Sequence, residues 1–494
     1  MSHDAPGLAE RLAQLVRIAT VTPADSGDLT PETAAVFADF HERLRDFYPT
    51  LFTTAEVTPI GRAGLLLRVA GTADAASSSP GSAPNGAADG TPHSLTSATS
   101  TDVGATSLGP VLLMAHQDVV PAPVEGWAEA GWSHPPFAGT VEDGQDGLTV
   151  YGRGTLDDKG ALLVVLEAVE DLVTEDWHPH GDLWLLLGAD EESYGACAIA
   201  AAEELDRRGV RPVMVVDEGG AVASGVFPGL TRPVAIVGVA EKGLTTLEIV
   251  VSADPRSPGH ASTPPRRSAP AGLGRAIVAL ERHPHPASLD DVALRLFRTL
   301  APYVPGPLGR LLSRTDTLRP VLGRLLPVAG AELAAMVRTT TAVTMLEGSA
   351  APNVLAATAR ATVNMRVATS SSVAEATTHV DRVVRRAVGR GLDVAVRVVE
   401  ASEPTPPSPM DERWDAICAA SAAAYPDAIP VPYTMLAASD SRHVARIAPA
   451  IYRFAPLFMS AAQRAGVHGV DERVSADSLV RGVRFYRALL APDV

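Results

Sequence analysis

Apolar side chains recur at helical spacing over residues 8–18 and again over 33–47, so the chain is expected to open with two helices. A short apolar strand follows at 64–69. From 72 to 107 the sequence becomes Ala, Ser, Gly, Thr and Pro with almost no large apolar residue. Such a stretch cannot bury enough surface to offset its ordering entropy, which predicts a disordered surface insertion and not a domain boundary. Strand-like runs at 111–115, 183–188 and 212–216 then alternate with helical patterns at 160–172 and 196–207. Short apolar strands separated by amphipathic helices predict an α/β fold, a sheet covered by helices on both faces. Past Lys242 the rhythm changes. Period-two segments at 245–251, 354–367 and 392–399 and helical ones at 271–282 and 373–390, with a long excursion between, predict an inserted α+β domain. A Pro-rich connection at 403–409 leads back to α/β character, so the expected division is 1–241 and 403–494 around an insert of 242–402. No repeat of fixed period is present.

Composition narrows the chemistry. A net charge of −16 over 494 residues repels nucleic-acid backbones and anionic membranes, so neither is an expected partner. With Cys197 and Cys418 as the only cysteines, a disulfide framework, a thiolate zinc cage and an iron–sulfur cluster all lack ligands. Any metal must be held by His and carboxylates. The N-terminal stretch has no basic segment followed by a long apolar core, and apolar runs such as 161–166 and 183–189 fall short of the ~20 residues of a spanning helix. A cytoplasmic protein is therefore expected, and heavy Ala, Arg and Pro usage suggests a GC-rich bacterial source.

Ionisable residues gather at the ends of the expected strands, where an open α/β sheet places its ligands. In MAHQDVVPAP, His116 and Asp118 stand two apart on an extended segment and point to the same side. This is either a metal ligand with its orienting carboxylate or an ordinary His–Asp hydrogen bond. In YGRGTLDDKG, Asp157 and Asp158 precede a helix, where they supply a metal ligand or cap the helix. The dinucleotide-loop reading fails because the third glycine of G-x-G-x-x-G is missing. LLLGADEESYG places Asp190, Glu191 and Glu192 after a strand, and VMVVDEGG places Asp217 and Glu218 likewise. Crowded carboxylates repel unless a cation or protons compensate, so a metal site competes with a solvated acidic loop. AGVHGVDERVS adds His468, with Asp471 and Glu472 behind it. Together these residues suit a pair of divalent ions: Asp157 shared between ions about 3.5–4 Å apart, His116 with Asp217 or Glu218 on one, Glu192 and His468 on the other. Glu191, alternate in direction, is left as general base.

The strings LLMAHQDVVPAP, YGRGTLDDKG, LGADEESYG, VDEGG, VAEKG, GHASTPP, RTTTAVT, NVLAATARATVNMR, SDSRH, IYRFAP and HGVDERVS, in this order, resemble the M20 metallopeptidase family. The likeness spans nearly the whole chain and is nearest the carboxypeptidase S branch and its N-fatty-acyl-amino acid synthase/hydrolase relatives. It implies a zinc-peptidase-like catalytic domain and a smaller lid domain through which members dimerise. It implies His116, Asp157, Glu192 and His468 as metal ligands, Asp217 or Glu218 as the fifth, Asp118 as the orienting residue and Glu191 as base. It implies a cis peptide between Asp157 and Asp158, a carbonyl-polarising role for His260, and substrate contacts from Asn353, Arg366 and Arg442. One departure stands out: Ala438 and Ser439 precede Asp440 where relatives commonly carry Gly and Thr.

The expected activity is hydrolysis of an amide bond beside a free carboxylate, in an N-acyl amino acid or a short peptide, with two divalent metals, zinc foremost and cobalt or manganese as alternatives. Rival readings are an amidohydrolase acting on carbamoyl, allantoate-type or succinylated substrates, and a non-catalytic metal-binding protein.

Overall fold

The buried runs VLLMAH, LWLLLG and MVVD become the strands Val111–His116, Leu183–Gly188 and Met214–Asp217, every residue of which is buried. The computed structural model describes residues 4–493 except 24–27, 73–104, 145–146, 194, 228, 255 and 257–258. Most of the insertion expected at 72–107 thus lies outside the described residues. Its last part does not fit the expectation of disorder, since Ala105–Leu108 is a 3-10 turn with Ala105 and Thr106 buried.

Contacts divide the chain into two units, Met1–Val237 with Ser408–Pro430 and Ser439–Val494, and Gly238–Pro407 with Val431–Ala438. The crossings differ from the expected 241/242 and 402/403 because the two connecting segments bond each other. Thr405 N donates to Glu241 O at 3.0 Å and Glu241 N to Thr405 Oγ1 at 2.9 Å.

In the first unit a mixed sheet runs in the order Glu56–Ile60, Gly64–Val69, Leu183–Gly188, Val111–His116, Met214–Asp217, Ile451–Arg453. The last four are parallel, with His116 opposite Gly188 and Asp217 opposite Arg453, so their carboxyl ends open on one edge. Leu112, Met114, Trp184, Leu186 and Val215 pack with Cys197, Ala198, Ala201, Ala202 and Leu205 of helix Ala196–Arg207. The alternate residues Leu113, Leu185, Leu187 and Val216 are equally buried, which requires cover on the opposite face too. Each such side chain contributes about 1.5–3 kcal/mol. Helix Lys159–Thr174 is buried along most of its length and packs on helix Ala476–Leu490, where Gly482 permits close approach: a Cβ there would lie 3.0 Å from Val164 Cγ1. Lys159 Nζ donates to the carbonyls of Leu15 at 3.0 Å and Ile18 at 2.6 Å, pinning the end of helix Ala5–Val16. Helix Pro31–Phe47 starts where Thr30 accepts from Thr33 N and turns Phe37, Phe40 and Leu44 inward.

The second unit is a four-stranded antiparallel sheet in the order Thr340–Glu347, Thr358–Val367, Gly243–Ser252, Asp393–Ser402. Ala359, Ala361, Val363, Met365 and Val367 alternate inward against helices Ala269–Arg282 and Val373–Val388. The strand expected from 354 begins at Thr358, because Val354 is drawn into a bridge with His260. The excursion holds the helices Asp291–Leu300, Gly306–Leu312, Thr315–Ala329 and Ala331–Val337, which the apolar pattern left unassigned. Pro320 and Pro327 lie inside the third, and proline ordinarily ends a helix. Among the described residues no helix is long and apolar enough to cross a membrane.

Candidate metal centre

The open edge of the parallel strands gathers the acids and one imidazole, and the loop bearing His468 completes the cluster. His116 ends its strand with Nδ1 2.9 Å from Asp118 O and Nε2 3.0 Å from Asp157 Oδ1. The second oxygen of the same carboxylate, Asp157 Oδ2, lies 3.0 Å from His468 Nε2, which is also 3.0 Å from Glu192 Oε1. One carboxylate thus gives one oxygen to each imidazole. His116, Asp157 and Glu192 offer donor atoms within 4.8 Å of one another, and His116, Glu191 and Glu218 do the same. Glu191, read from sequence as the general base, offers a donor atom in the same space as the ligand candidates.

Charge in this cluster is unbalanced toward acid. Burial, reinforced by Asp440, Asp157 and Glu192 against the opposing pull of His116, raises the Glu191 carboxyl well above its ordinary range. Burial and the charges of Asp157, Glu191 and Asp158 do the same to Glu218. Burial raises Asp158 as well, and its Oδ1 is buried without a hydrogen-bond partner. Asp157 goes the other way: burial opposes its charge, but His116 and His468 together hold it below the usual range. His116 is raised despite burial, by Asp118, Asp157 and Asp158. Hydrogen bonds to Asp157 and Glu192 push half-exposed His468 up to about 10. Crowded carboxylates with two imidazoles and no thiolate are the donor set of zinc, manganese or cobalt, and these residues fit divalent cations.

Two buried acids hold the frame. Asp118 accepts from the amides of Glu191 at 3.3 Å and Glu192 at 3.1 Å, so it positions the acidic loop as well as standing 3.4 Å from His116 Nδ1. Glu472 Oε1 accepts from the amides of Leu156 at 2.8 Å and Asp157 at 3.1 Å, while its Oε2 takes Arg153 Nη1 at 2.6 Å. The peptide between Asp157 and Asp158 is cis. In sequence Glu472 stands out only as a neighbour of His468, and Arg153 does not stand out at all. The signal was the Arg of YGRG and the Glu of DERV, two charges destined for burial that need each other.

Asp217 and Glu218, left open from sequence, separate here. Asp217 Oδ2 accepts from Ser441 N at 2.9 Å, and only Glu218 joins His116 and Glu191 in a donor group. Asp440 is buried and lifted to about 8, first by burial, then by Asp217, Asp118 and Asp190. Arg442, expected to contact an anion, donates through Nη1 to Ser439 O at 3.0 Å. The remaining expected residues belong to the second unit. There His260 is exposed, not buried, and its Nδ1 accepts from Ser262 N at 3.1 Å, which leaves its proton on Nε2 as an outward donor. Asn353 sits beside it, its carbonyl accepting from Ala261 N at 3.1 Å. Arg366 lies on strand Thr358–Val367 at a half-exposed position of the face opposite the core.

Comparison with known proteins bears on this geometry. The family model described as peptidase family M20/M25/M40 matches residues 112–491. The chain is 33% identical to the N-fatty-acyl-amino acid synthase/hydrolase of Homo sapiens, over 78% of this chain and 74% of that one. It is 32% identical to a probable carboxypeptidase S-like protein of Dictyostelium discoideum, over 78% and 72% respectively. Its fold is similar to that of an M20 family metallo-carboxypeptidase from Sulfolobus solfataricus, with a TM-score of 0.64, 15% identity and 99% of each chain covered.

Proposed function

The chain belongs to peptidase family M20/M25/M40 and is a hydrolase of that family, and from this premise we propose that it cleaves the amide bond of N-acyl amino acids or C-terminal peptide bonds at a dinuclear metal site. The observation that carries the reading is the split carboxylate of Asp157, one oxygen at 3.0 Å from His116 Nε2 and the other at 3.0 Å from His468 Nε2. His116, Asp157 and Glu218 would hold one cation, and Asp157, Glu192 and His468 the other. Two such ions supply Lewis-acid polarisation of a carbonyl and acidify water toward neutrality.

The chain's own groups do the rest. Glu191 takes a proton from the attacking water at its carboxylate and passes it to the leaving amine. Asp118 fixes the tautomer of His116 and the path of the Glu191–Glu192 backbone. Arg442 of the first unit would answer the substrate carboxylate, and His260, Asn353 and Arg366 of the second keep the substrate roles that the family resemblance implies for them. A preference for N-acyl amino acids draws on the likeness to the synthase/hydrolase.

The test is Glu191→Gln, which removes the proton acceptor and keeps shape. Turnover of an N-acyl amino acid panel should fall about 10²–10⁴-fold, with bound metal per chain unchanged. Retained turnover would remove Glu191 from the role of base.

A further inference from the structure

Apart from the metal centre, the second unit contains a cavity of about 530 Å³, within the size range of small-molecule sites. It is lined by Arg319, Arg324, Arg338 and His285, with Pro320 and Leu289 among its apolar members and no acid. His285 is 7% exposed, and its Nε2 is buried with no hydrogen-bond partner among the described residues. Arg338 Nε is likewise buried and unpartnered. The imidazole stacks on His379 with ring centroids 4.3 Å apart. Behind it, buried Lys242 bonds only carbonyls, those of Ala335 at 2.9 Å and Arg338 at 2.7 Å. Among the described residues the acid paired to the lining is Asp291, whose highly exposed carboxylate stands 3.6 Å from Arg319 Nη1. Burial first, then His379, Lys242 and Arg338, push His285 down to about 4.

Unsatisfied buried donors are costly, and a ligand that satisfies them is bound for that reason. We propose that this cavity is a binding site for a small molecule carrying a phosphate or carboxylate group, received by the Arg319, Arg324 and Arg338 guanidiniums. Guanidinium forks match both oxyanions, so the shared chemistry is that of a compact anion. On a chain of net charge −16 such a site is a local exception, and its attraction for anions is set by these few residues and not by the global field.

Titration calorimetry on the full, metal-loaded chain at fixed ionic strength tests this, with inorganic phosphate and glutarate as separate probes. At least one should bind saturably, and the tighter of the two identifies the source of the anion. Arg324→Glu, at an exposed helix position, should weaken that binding about tenfold or more, and His285→Leu should weaken it in the same direction. Arg310→Glu, an equal charge change outside the cavity, should leave it unchanged. Saturation by neither probe, binding that survives Arg324→Glu, or equal losses in the Arg324 and Arg310 variants would overturn the proposal.

Discussion

In the first unit Glu191, Glu218, Asp157 and Asp158 crowd the open edge of a sheet, whereas in the second His285, Arg319, Arg324 and Arg338 line a cavity, with Lys242 close to His285. One cluster gathers acids and the other bases, and among the described residues both leave a buried polar atom unpaired, Asp158 Oδ1 in one and His285 Nε2 in the other. The support differs. Each acid-bearing loop is fixed by a further buried carboxylate, Asp118 for Glu191 and Glu192, Glu472 for Leu156 and Asp157. The cations rest on backbone carbonyls, as Lys242 does on Ala335 and Arg338. A site that must aim donors to within a fraction of an ångström needs such a supporting layer, while a site that only attracts charge does not.

The sharpest way to break that contrast is to remove the acid frame. Glu472→Ala strands Arg153 in the interior, 3% exposed, and should cost about 3–5 kcal/mol in chemical denaturation. Equal stability would show that the frame is ornamental. Asp118→Asn keeps the fold but weakens both the ring orientation and the amide grip, and should lower metal affinity about 10–100-fold in a competition titration with a chelator. On the cationic side Lys242→Met unsatisfies two carbonyls yet removes a buried charge, so its net cost should stay within about 1–3 kcal/mol. A cost as large as that of Glu472→Ala would erase the difference between the clusters.

The last test is pH. In chelator-treated protein His468 has a folded pKa of about 10 against an ordinary 6.5, so its stabilisation is fully present below 6.5 and is lost as pH rises through 10. Glu191 and Glu218, raised above their ordinary 4.5, bind more protons folded than unfolded, so they too favour the fold less as pH rises above that value. Melting temperature of the metal-free protein should therefore decline from pH 7 to 10, and added zinc should flatten the decline. A metal-free curve as flat as the zinc-loaded one would mean that these groups are not crowded.

Much of the first unit was legible because buried parallel strands are continuous apolar runs and the acids follow them directly. The strands ending at His116 and Gly188 needed only local pattern. The helical excursion between Asp291 and Val337 was not legible, although Leu294, Leu296, Phe297 and Leu300 turn inward, because Pro320 and Pro327 interrupt the signal that local rules use. Within the site, His116, Asp157, Glu192 and His468 could be named as a set from the motifs that carry them. The buttress of Glu472 could not, since its partners Leu156 and Asp157 lie 316 and 315 residues away in sequence.

The sequence by itself determined which chemistry was available: imidazoles and carboxylates at strand ends, no thiolate cage, a family-wide order of motifs. Only the tertiary structure shows Asp217 bonded to Ser441 N, 224 residues away, and Glu218 among the donor atoms beside His116 and Glu191. It also decided that three arginines and a histidine meet around one cavity. Periodicity and composition are local properties that the chain carries unfolded. Which donor finds which acceptor depends on segments brought together by burial, and that pairing exists only in the folded state.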